Sequence, residues 1–333
     1  MSTFYVSPSG SDTANGSAAT PWQTVSHALD TVAPSGDTIM VNDGLYTPWF
    51  NDQTRLWLNI TKSVTLRSVN PKGAVLDGAL QCHSPINLNT GSANVLIQDF
   101  LIKRGAHGGI WANSLAAKGV TVRGCEIAYI SNIPDGTQIG NCGIYMDGAA
   151  VINVDASYLH DIGRSTAIDP GNAFDHAIYS HGAALITNCT FAALLQGWAI
   201  QTSQGFSGRI LNNAFNGPVE YAGSGGLKNG QIMFWQAASG GIEVSSNLFN
   251  NPRGYALETF AFSFPVGTFK SGNNQVSGGL PLGGPAGQVS SGATGPVGPQ
   301  TTPTPTPPAP SGVTVTVNGQ AVKTALPVTI TIQ

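Results

Sequence analysis

Residues 174–182 combine histidine, tyrosine and aspartate side chains in a stretch with the alternation of a β-strand. Alternate residues of a strand point to the same face, so Tyr179 and His181 are predicted to lie together on its outer face. Asp147 follows Tyr145 by two residues, just as His181 follows Tyr179. We therefore predict that Asp147 and His181 lie side by side on neighbouring strands, with their Cα atoms about 4.8 Å apart. A histidine, a tyrosine and a carboxylate placed in this way can transfer protons in catalysis.

Further ionisable and aromatic residues near the same strands give two sets of candidates. The catalytic candidates are His181, Tyr179, Asp147, His176, Arg164 and Asp175. The substrate-binding candidates are Trp111, Tyr145, Gln201, Trp235, Glu258, His160 and Asp161. Because three of the six histidines (160, 176 and 181) fall in this region, we predict that they converge on one site.

One chemistry that fits the candidates is β-elimination from a uronic acid. A base would take the proton next to the sugar carboxylate, and His181, His176 or Tyr179 could be that base. Arg164 or a metal ion would stabilise the negative charge that develops. This chemistry would make the protein a polysaccharide lyase.

Two alternatives compete with elimination. Hydrolysis of a glycosidic bond needs two carboxyl groups about 5–9.5 Å apart, and Asp147 with Asp161 or Asp175 could supply them. The other alternative is a hydrogen-bonded network that shapes a groove without catalysis. The sequence favours an enzyme, and a lyase over a hydrolase.

Two short sequence motifs alternate along the chain and predict the scaffold that carries these residues. The first motif contains the strand of Tyr179. In each copy one residue is predicted to point into the core: Ile110, Ile144, Ile178, Ile200, Phe234 and Leu257. The second motif begins at residues 97, 122, 154, 186, 210 and 244, so the repeats are 24 to 34 residues long. A second inward series follows it: Ile102, Ile127, Leu159, Phe191, Phe215 and Phe249. Repeats of this kind predict a parallel β-helix solenoid in which each series stacks as a buried column.

The longer repeats carry about ten extra residues at one corner, immediately before the strands that contain Tyr145, Tyr179 and Trp235. Insertions on one face of a solenoid often surround a binding site. The outer face beside them presents, in chain order, Trp111, Tyr145, Tyr179, Gln201, Trp235 and Glu258. Since the flat C–H faces of sugars stack on aromatic rings, we predict a carbohydrate-binding groove; the alternative is that the aromatics only pack beneath the loops.

The overall composition narrows the class of protein. Charged residues make up 9% of the 333 residues and glycine is abundant at 42, which favours a turn-rich β protein. The net charge of −3 gives no case for a nucleic-acid or membrane partner. No apolar run reaches the roughly 20 residues of a membrane span.

Two sets of residues are assigned to structure. The cysteines Cys82, Cys125, Cys142 and Cys189 are predicted to be buried thiols, because Cys125 and Cys189 fall two coils apart, beyond disulfide reach. The asparagines Asn188, Asn212, Asn213 and Asn247 suit the turns of a solenoid, where they bind the backbone and tolerate left-handed geometry.

The N-terminal region predicts a short helix that caps the solenoid. Thr20 and Pro21 are predicted to start it, as N-cap and first helical residue. Its apolar stripe consists of Trp22, Val25, Ala28, Leu29 and Val32. Such a helix would cover the open sheet edge and the core at the end of the solenoid.

Motifs of the same region resemble a known superfamily. They are YVSPSGSD (residues 5–12), PWQTV (21–25), GDTIMV (36–41) and GLY (44–46). These motifs resemble the opening of right-handed parallel β-helix proteins of the pectin-lyase-like superfamily, and the resemblance in coil pattern covers residues 1–265. It implies a right-handed parallel β-helix with a glycan as ligand, since polysaccharide lyases, glycosidases, epimerases and phage tailspikes dominate that superfamily.

The repeat pattern ends in the C-terminal part of the chain. We predict a parallel β-helix over 1–270, a linker rich in glycine, proline and threonine over 271–310, and a C-terminal β-hairpin over 311–333 around Asn318 and Gly319. A hairpin this small is not stable alone. It is therefore predicted to form a homotrimer or to attach the chain to another virion or surface protein.

The sequence thus predicts an all-β protein that binds and depolymerises an extracellular polysaccharide, capsular or uronic-acid-containing, in the manner of a phage tailspike. The alternatives are a non-catalytic glycan-binding virion fibre or adhesin, and a secreted bacterial polysaccharide lyase or glycosidase. Calcium is left open as a ligand, and no organic cofactor is predicted. No signal peptide is recognised after Met1, and an extracellular or virion-associated location is predicted.

Overall fold

The computed structural model describes residues 1–32, 36–89, 91, 93–112, 118–131, 140–147, 151–165, 174–195, 197–203, 206–216, 231–235, 241–250, 255–260, 269–277, 280–283, 314–317 and 320–323. Three long parallel sheets form a right-handed parallel β-helix, which confirms the predicted fold class. The chain divides into two compact units, Met1–Gly298 and Pro299–Gln333.

Each regular coil contributes one strand to each of the three sheets. The first sheet contains β1 (Thr3–Val6), β2 (Asp37–Val41), β5 (Val64–Ser68), β8 (Leu96–Gln98), β11 (Val120–Arg123), β14 (Ile152–Asp155), β17 (Ala183–Thr187), β20 (Ser207–Leu211), β23 (Ile242–Ser245) and β26 (Phe269–Gly272). The second contains β3 (Gly44–Tyr46), β6 (Ala74–Asp77), β9 (Leu101–Lys103), β12 (Glu126–Ile130), β15 (Tyr158–Ile162), β18 (Thr190–Ala192), β21 (Ala214–Asn216), β24 (Leu248–Asn250) and β27 (Gln275–Ser277). The third contains β4 (Leu58–Ile60), β7 (Ile86–Leu88), β10 (Gly108–Ala112), β13 (Cys142–Met146), β16 (His176–Ser180), β19 (Ile200–Thr202), β22 (Ile232–Trp235), β25 (Tyr255–Phe260) and β28 (Leu280–Gly283).

The third sheet buries a column of isoleucines. Its members pair in register and expose no surface: Ile110, Ile144, Ile178 and Ile200. On β22 the partner of Ile200 is Ile232, whereas the sequence predicts Phe234. Phe234 is buried too, but it pairs with Thr202 in the next inward column. The prediction was wrong by two residues because alternation fixes the face that a residue occupies and leaves a shift of two residues undetermined.

The second sheet buries the other predicted column. Its members hold equivalent positions on successive strands: Ile102, Ile127, Leu159, Phe191, Phe215 and Phe249. The rings of Phe191 and Phe215 stack with centroids 4.8 Å apart, and those of Phe215 and Phe249 are 4.7 Å apart. Burial of each such side chain contributes about 1.5–3 kcal/mol. The solenoid is therefore stabilised by contacts between neighbouring coils.

The turn from the first sheet to the second repeats a left-handed residue in successive coils. Six of these residues have φ between 48° and 65°: Asp99, Gly124, Ala156, Asn188, Asn212 and Ser246. The position after the turn carries a buried polar ladder, in which Asn213 Nδ2 donates to Asn247 Oδ1 over 3.0 Å. Asn213 Oδ1 accepts from the N–H of Cys189 at 2.9 Å. These hydrogen bonds support the structural role predicted for the asparagines, and all four cysteines are buried free thiols, as predicted.

The N-terminal helix is present but starts later than predicted. Helix α1 spans Val25–Thr31, and its N-cap is Thr24, whose hydroxyl accepts from the N–H of His27 at 3.2 Å. The carboxylate of Asp12 accepts hydrogen bonds from the N–H groups of Gln23 (2.8 Å) and Thr24 (2.9 Å), which fixes the turn before the helix. The prediction placed the N-cap at Thr20 because both threonines are good capping residues and the contribution of Asp12 is not local in sequence. The helix packs against β1, β2 and β4 of the first coils.

The solenoid extends beyond residue 270, where the sequence placed its end. Strands β26, β27 and β28 pair in parallel with β23, β24 and β25 and complete one more coil, which reaches Gly283. This coil escaped prediction because it carries few large aliphatic residues; Val276 is one that packs against the core. The boundaries of the predicted linker stay a prediction.

The second compact unit contains the predicted hairpin. Strands β29 (Thr314–Val317) and β30 (Gln320–Lys323) are antiparallel, and Val317 pairs with Gln320. This register leaves a two-residue connection, as an Asn-Gly turn requires. The turn residues themselves lie outside the described part of the chain.

Candidate active site

The candidate site lies on the outer face of the third sheet, where each strand presents one side chain at an equivalent position. In chain order these positions hold Asn59, Asn87, Trp111, Tyr145, Tyr179, Gln201, Met233 and Glu258. This is the predicted order except on β22, where Met233 takes the place expected for Trp235. Trp235 lies two residues further along, at the position equivalent to His181, because of the register difference on that strand.

Three aromatic rings on this face stack on one another. The ring centroids of Trp111 and Tyr145 are 4.0 Å apart and those of Tyr145 and Tyr179 are 5.5 Å apart, with interplanar angles of 11° in both pairs. We call these three residues the aromatic ladder. Since stacked rings cover the faces between them, a sugar can reach mainly the ring edges and the tyrosine hydroxyls. The prediction that each ring stacks on a sugar is corrected accordingly.

Asp147, His181 and Tyr179 form a hydrogen-bonded line beside the ladder, which we call the polar triad. His181 Nδ1 lies 3.3 Å from Asp147 Oδ1, and His181 Nε2 lies 2.8 Å from the Tyr179 hydroxyl. The side chains of His181 and Asp147 keep 28% and 36% of their surface exposed. Asp147 therefore orients the imidazole so that Nε2 can accept the proton of Tyr179, while the triad stays open to a ligand.

The hydroxyl of Tyr179 has two further neighbours. The side chains of Ser203 and Gln201 hydrogen-bond to it. Burial raises the pKa of Tyr179 above its usual value, and these two hydrogen bonds offset part of that effect because they favour the charged form. The hydroxyl thus rests in its protonated form, with two groups placed to stabilise its oxygen when the proton leaves. Sequence reasoning missed Ser203, although it follows Gln201 by two residues as His181 follows Tyr179.

His176 is not part of the open site. It is 3% exposed, and its Nδ1 accepts a hydrogen bond from the N–H of Trp198 at 3.2 Å. Burial lowers the pKa of His176 to about 3, so the ring is neutral. The prediction that it could be the base is corrected: its side chain is buried and packs between Tyr179 and Trp198.

Arg164 and Asp175 form an ion pair in which neither side chain exposes any surface. Asp175 Oδ2 accepts from the backbone N–H (2.7 Å) and Nε (3.1 Å) of Arg164, and Oδ1 accepts from Nη2 at 2.8 Å. The N–H of Asn141 also donates to Oδ1 at 3.1 Å. Neither group can meet a sugar, so the predicted roles of Arg164 in charge stabilisation and of Asp175 in hydrolysis are corrected. Their sequence positions before a groove strand gave no information on burial.

His160 and Asp161 lie on a different face from the polar triad. They belong to β15 of the second sheet, where His160 Nδ1 is 2.6 Å from Asp161 Oδ2 and Nε2 is 3.3 Å from Glu126 Oε1. We call these three residues the second-sheet cluster. The prediction that three histidines converge is therefore wrong: His160 faces out from the second sheet, His176 is buried, and His181 alone lies in the groove.

The pH dependence of unfolding tests the second-sheet cluster. Burial opposes the charge on His160, but hydrogen bonds to Glu126 and Asp161 outweigh it and raise the pKa of His160. A raised pKa contributes stability that is complete below about pH 6.5, the usual histidine value, and lost as the pH rises through the folded-state value. We expect the free energy of unfolding, measured by chemical denaturation, to fall over this window. His160→Gln should remove that fall, and the control His27→Gln on α1 should keep it. An unchanged pH profile for His160→Gln would contradict the assignment.

The groove changes character at its C-terminal end. Met233 and Trp198 are 0% and 3% exposed and form a small apolar cluster, against which Trp235 packs. Gln201, one strand earlier, is 8% exposed. Trp235 therefore packs against this cluster, and the structure gives no sign of the predicted sugar-binding role. The open part of the outer face lies on the N-terminal side of Gln201. The side chain of Glu258 lies outside the described part of the chain.

The described residues bear on metal binding and on membrane insertion. No three side chains of histidine, cysteine, aspartate or glutamate there come together in a way that could hold a metal ion. A calcium requirement stays a prediction. No helix among those residues has the length and apolar character needed to cross a membrane.

A right-handed parallel β-helix with a polar groove on its third sheet defines the class of this protein. Among solved structures, pectate lyase Pel9A matches with a TM-score of 0.56 and 13% identity over 91% of this chain and 82% of that chain. An alginate lyase from Paenibacillus sp. strain FPU-7 matches with a TM-score of 0.54 and 16% identity over 87% of this chain and 99% of that chain. At these identities the matches establish a fold shared with polysaccharide lyases.

Sequence comparison adds a weaker match. A segment of 97 residues is 36% identical to pectate lyase PEL9 of Emericella nidulans, which is 27% of this chain and 22% of that enzyme. The chain thus corresponds to about a fifth of the curated relative's length. No protein-family model matches the chain.

Proposed function

We propose that this chain binds an extracellular polysaccharide that contains uronic acid and cleaves it by β-elimination. The observation that carries the proposal is the polar triad, in which a carboxylate orients a histidine toward a tyrosine hydroxyl on an exposed face. The shared fold with pectate and alginate lyases supports a polysaccharide as substrate. Neither of the predicted carboxyl partners of Asp147 supports hydrolysis, since Asp175 is buried and Asp161 lies on the second sheet.

In the proposed mechanism His181 and Tyr179 act as one acid–base unit. The Tyr179 oxygen takes the proton next to the sugar carboxylate while its own proton passes to His181 Nε2. Because burial raises the pKa of Tyr179, a free tyrosinate is unfavourable and the two transfers occur together. Asp147 stabilises the imidazolium that forms. The electrons of the broken C–H bond form the double bond, the glycosidic C–O bond breaks, and the imidazolium proton passes to the departing oxygen.

A substrate screen tests the reaction class. The protein is incubated with polygalacturonate, alginate and a panel of bacterial capsules, and two products are followed: the absorbance of unsaturated sugars and the reducing ends. Both signals together indicate elimination. Reducing ends without absorbance would replace the lyase by a hydrolase, and binding without either signal would leave a non-catalytic fibre or adhesin.

Tyr179→Phe separates binding from chemistry. Phenylalanine keeps the stacked ring of the aromatic ladder and removes the hydroxyl that the mechanism needs. We expect the turnover number to fall by about 10²–10⁴-fold while the affinity for the polysaccharide is retained. Steady-state kinetics and equilibrium binding measure the two effects, with Tyr5→Phe in the first coil as control. A Tyr179→Phe variant with wild-type turnover would remove the hydroxyl from the mechanism.

We also propose a setting for this activity. The hairpin of the second compact unit would join sister chains into a homotrimer or attach the chain to another virion or surface protein, as in a tailspike-like depolymerase. A secreted bacterial lyase would use the same groove. Both settings place the chain outside the cell, where its proposed substrate lies.

A further inference from the structure

The segment between β3 and β4 exposes an aromatic pair together with an arginine. Trp49 is 78% exposed, and its ring meets that of Phe50 edge-on at a centroid distance of 5.5 Å. The guanidinium carbon of Arg55 lies 4.8 Å from the centroid of Trp49 and 4.3 Å from that of Phe50. We call these three residues the platform. A cluster of exposed aromatic side chains with an arginine is typical of a binding surface.

The backbone of this segment is held onto the following coil. The N–H of Asp52 donates to the carbonyl of Gln81 at 2.8 Å, and Gln53 Nε2 donates to the carbonyl of Leu80 at 2.9 Å. The carbonyl of Arg55 accepts from the N–H of His83 at 2.8 Å. A surface fixed in this way before binding loses little conformational freedom when a ligand arrives.

The platform is connected to the groove. It occupies the corner between the second and third sheets, the same corner at which the longer coils carry their insertions. His83, which bonds to Arg55, places its ring edge-on against Trp111 at 4.6 Å, and Trp111 begins the aromatic ladder. Four strand steps separate β4 from β16, so the platform lies about 19 Å along the axis from the polar triad. That distance corresponds to several sugar units.

The two ends of the groove differ in a way that favours extension toward the platform. On the C-terminal side of the triad, Gln201 and Met233 are buried. On the N-terminal side, Asn87 of the same outward column is also buried, whereas Asn59 at the end of the column is exposed. A polysaccharide held at the triad therefore meets exposed side chains again at the first coil, beside the platform.

The charge of the platform suits an acidic sugar. Among the described residues Arg55 forms no ion pair, although the carboxylate of Asp52 is near enough to interact with it electrostatically. A guanidinium stacked on aromatic rings keeps its N–H edge free for bidentate contact with a carboxylate. The ring face of Trp49 adds an apolar surface for the C–H face of the same sugar.

We propose that Trp49, Phe50 and Arg55 form a distal subsite for the uronic acid units of a polysaccharide, separate from the polar triad. The subsite rests on the proposed function for the class of ligand. It predicts that long chains bind more tightly than short ones, because only a long chain can reach the platform and the triad together.

Binding to polymers of defined length tests the subsite without cleavage. The His181→Ala variant serves as background, so that the polymer is not cleaved during the measurement. Its binding of polygalacturonate and of trigalacturonate is measured by calorimetry and by affinity electrophoresis. Adding Trp49→Ala should weaken polymer binding by about tenfold and narrow the ratio of polymer to trimer affinity. Leu45→Ala serves as control, since Leu45 is 57% exposed on the neighbouring strand and lies outside the platform. A ratio unchanged by Trp49→Ala would overturn the subsite.

Arg55 tests the charge requirement. Arg55→Gln should reduce the preference for polygalacturonate over its methyl ester and lower the salt dependence of binding. Arg55→Lys should restore only part of the preference, because a lysine keeps the charge and loses the planar stack. Equal preference in the wild type and in Arg55→Gln would overturn the role of the arginine.

The failure of the subsite and of the proposed function can be told apart. Wild-type binding of polygalacturonate or alginate without turnover would refute the lyase, and the platform variants would still report on the subsite. Unaffected binding by the platform variants, with normal turnover of the wild type, would refute the subsite alone. If the wild type binds none of the polymers of the screen (polygalacturonate, alginate and the bacterial capsules), both proposals are overturned.

Discussion

Replacing His181 by alanine is expected to lower turnover of the polysaccharide by about 10²–10⁴-fold. The substitution removes the group that accepts the proton of Tyr179, and water cannot replace an imidazole held by Asp147. Stability should change by no more than about 0.5 kcal/mol, because His181 points outward while Ile178 makes the core contact of this strand. Initial rates measure the first effect and thermal denaturation the second.

A matched control and a contrary outcome complete this test. His27→Ala removes a histidine from α1, far along the chain from the groove, and should leave turnover unchanged. An active His181→Ala variant with wild-type rate constants would show that the polar triad does not carry catalysis. The groove would then be a binding track, and the non-catalytic fibre or adhesin would become the better explanation.

Arg164→Met is expected to lower the free energy of unfolding by about 3–5 kcal/mol. It leaves the carboxylate of Asp175 buried without its guanidinium partner, at a position where water cannot compensate. The measurement is chemical denaturation at neutral pH. The double variant Arg164→Met, Asp175→Asn should lose less than the sum of the two single variants, because the charge that was left unpaired is gone.

An exposed ion pair provides the control for this prediction. Arg123 Nε lies 3.2 Å from Asp155 Oδ2, and 53% of the arginine side chain is exposed. Exposed pairs contribute about 0–1 kcal/mol, so Arg123→Met should have a small effect. A loss for Arg164→Met no larger than that for Arg123→Met would contradict the structural role of the buried pair.

The sequence predicts the scaffold well because repetition multiplies a weak signal. A single Ile178 or Leu159 in a short apolar stretch says little about its neighbours. Six copies of two alternating motifs predict which residues stack, and the structure places Ile144 on Ile178 and Leu159 on Phe191 as expected. The proximity of Asp147 and His181 follows from the same register.

The site is predicted less well because its details depend on side-chain directions that strand alternation does not determine. The stacking of Tyr145 on Tyr179 and the burial of His176 result from packing between coils. The ion pair of Arg164 with Asp175 joins residues that flank an insertion, and their burial depends on how that corner folds. The sequence predicts His160 in the groove because it belongs to the stretch before the strand of Tyr179, although a corner between two sheets separates it from His181.

The platform was missed for a different reason. Trp49 and Arg55 lie in the first coil, before the repeats become regular, and no neighbouring copy draws attention to them. Their relation to the groove becomes visible only through contacts across coils, from Arg55 to His83 and from His83 to Trp111.

Because its four cysteines are buried free thiols, the covalent structure of this fold does not depend on the redox state of its surroundings. All four cysteines are free, and burial raises the pKa values of Cys82, Cys125 and Cys189 to about 12, so their reactive thiolate forms are scarce at neutral pH. The described fold relies on no covalent cross-link that glutathione could reduce or that oxygen must form. A chain built in this way can fold in a reducing cell interior and keep the same covalent structure in an oxidising medium.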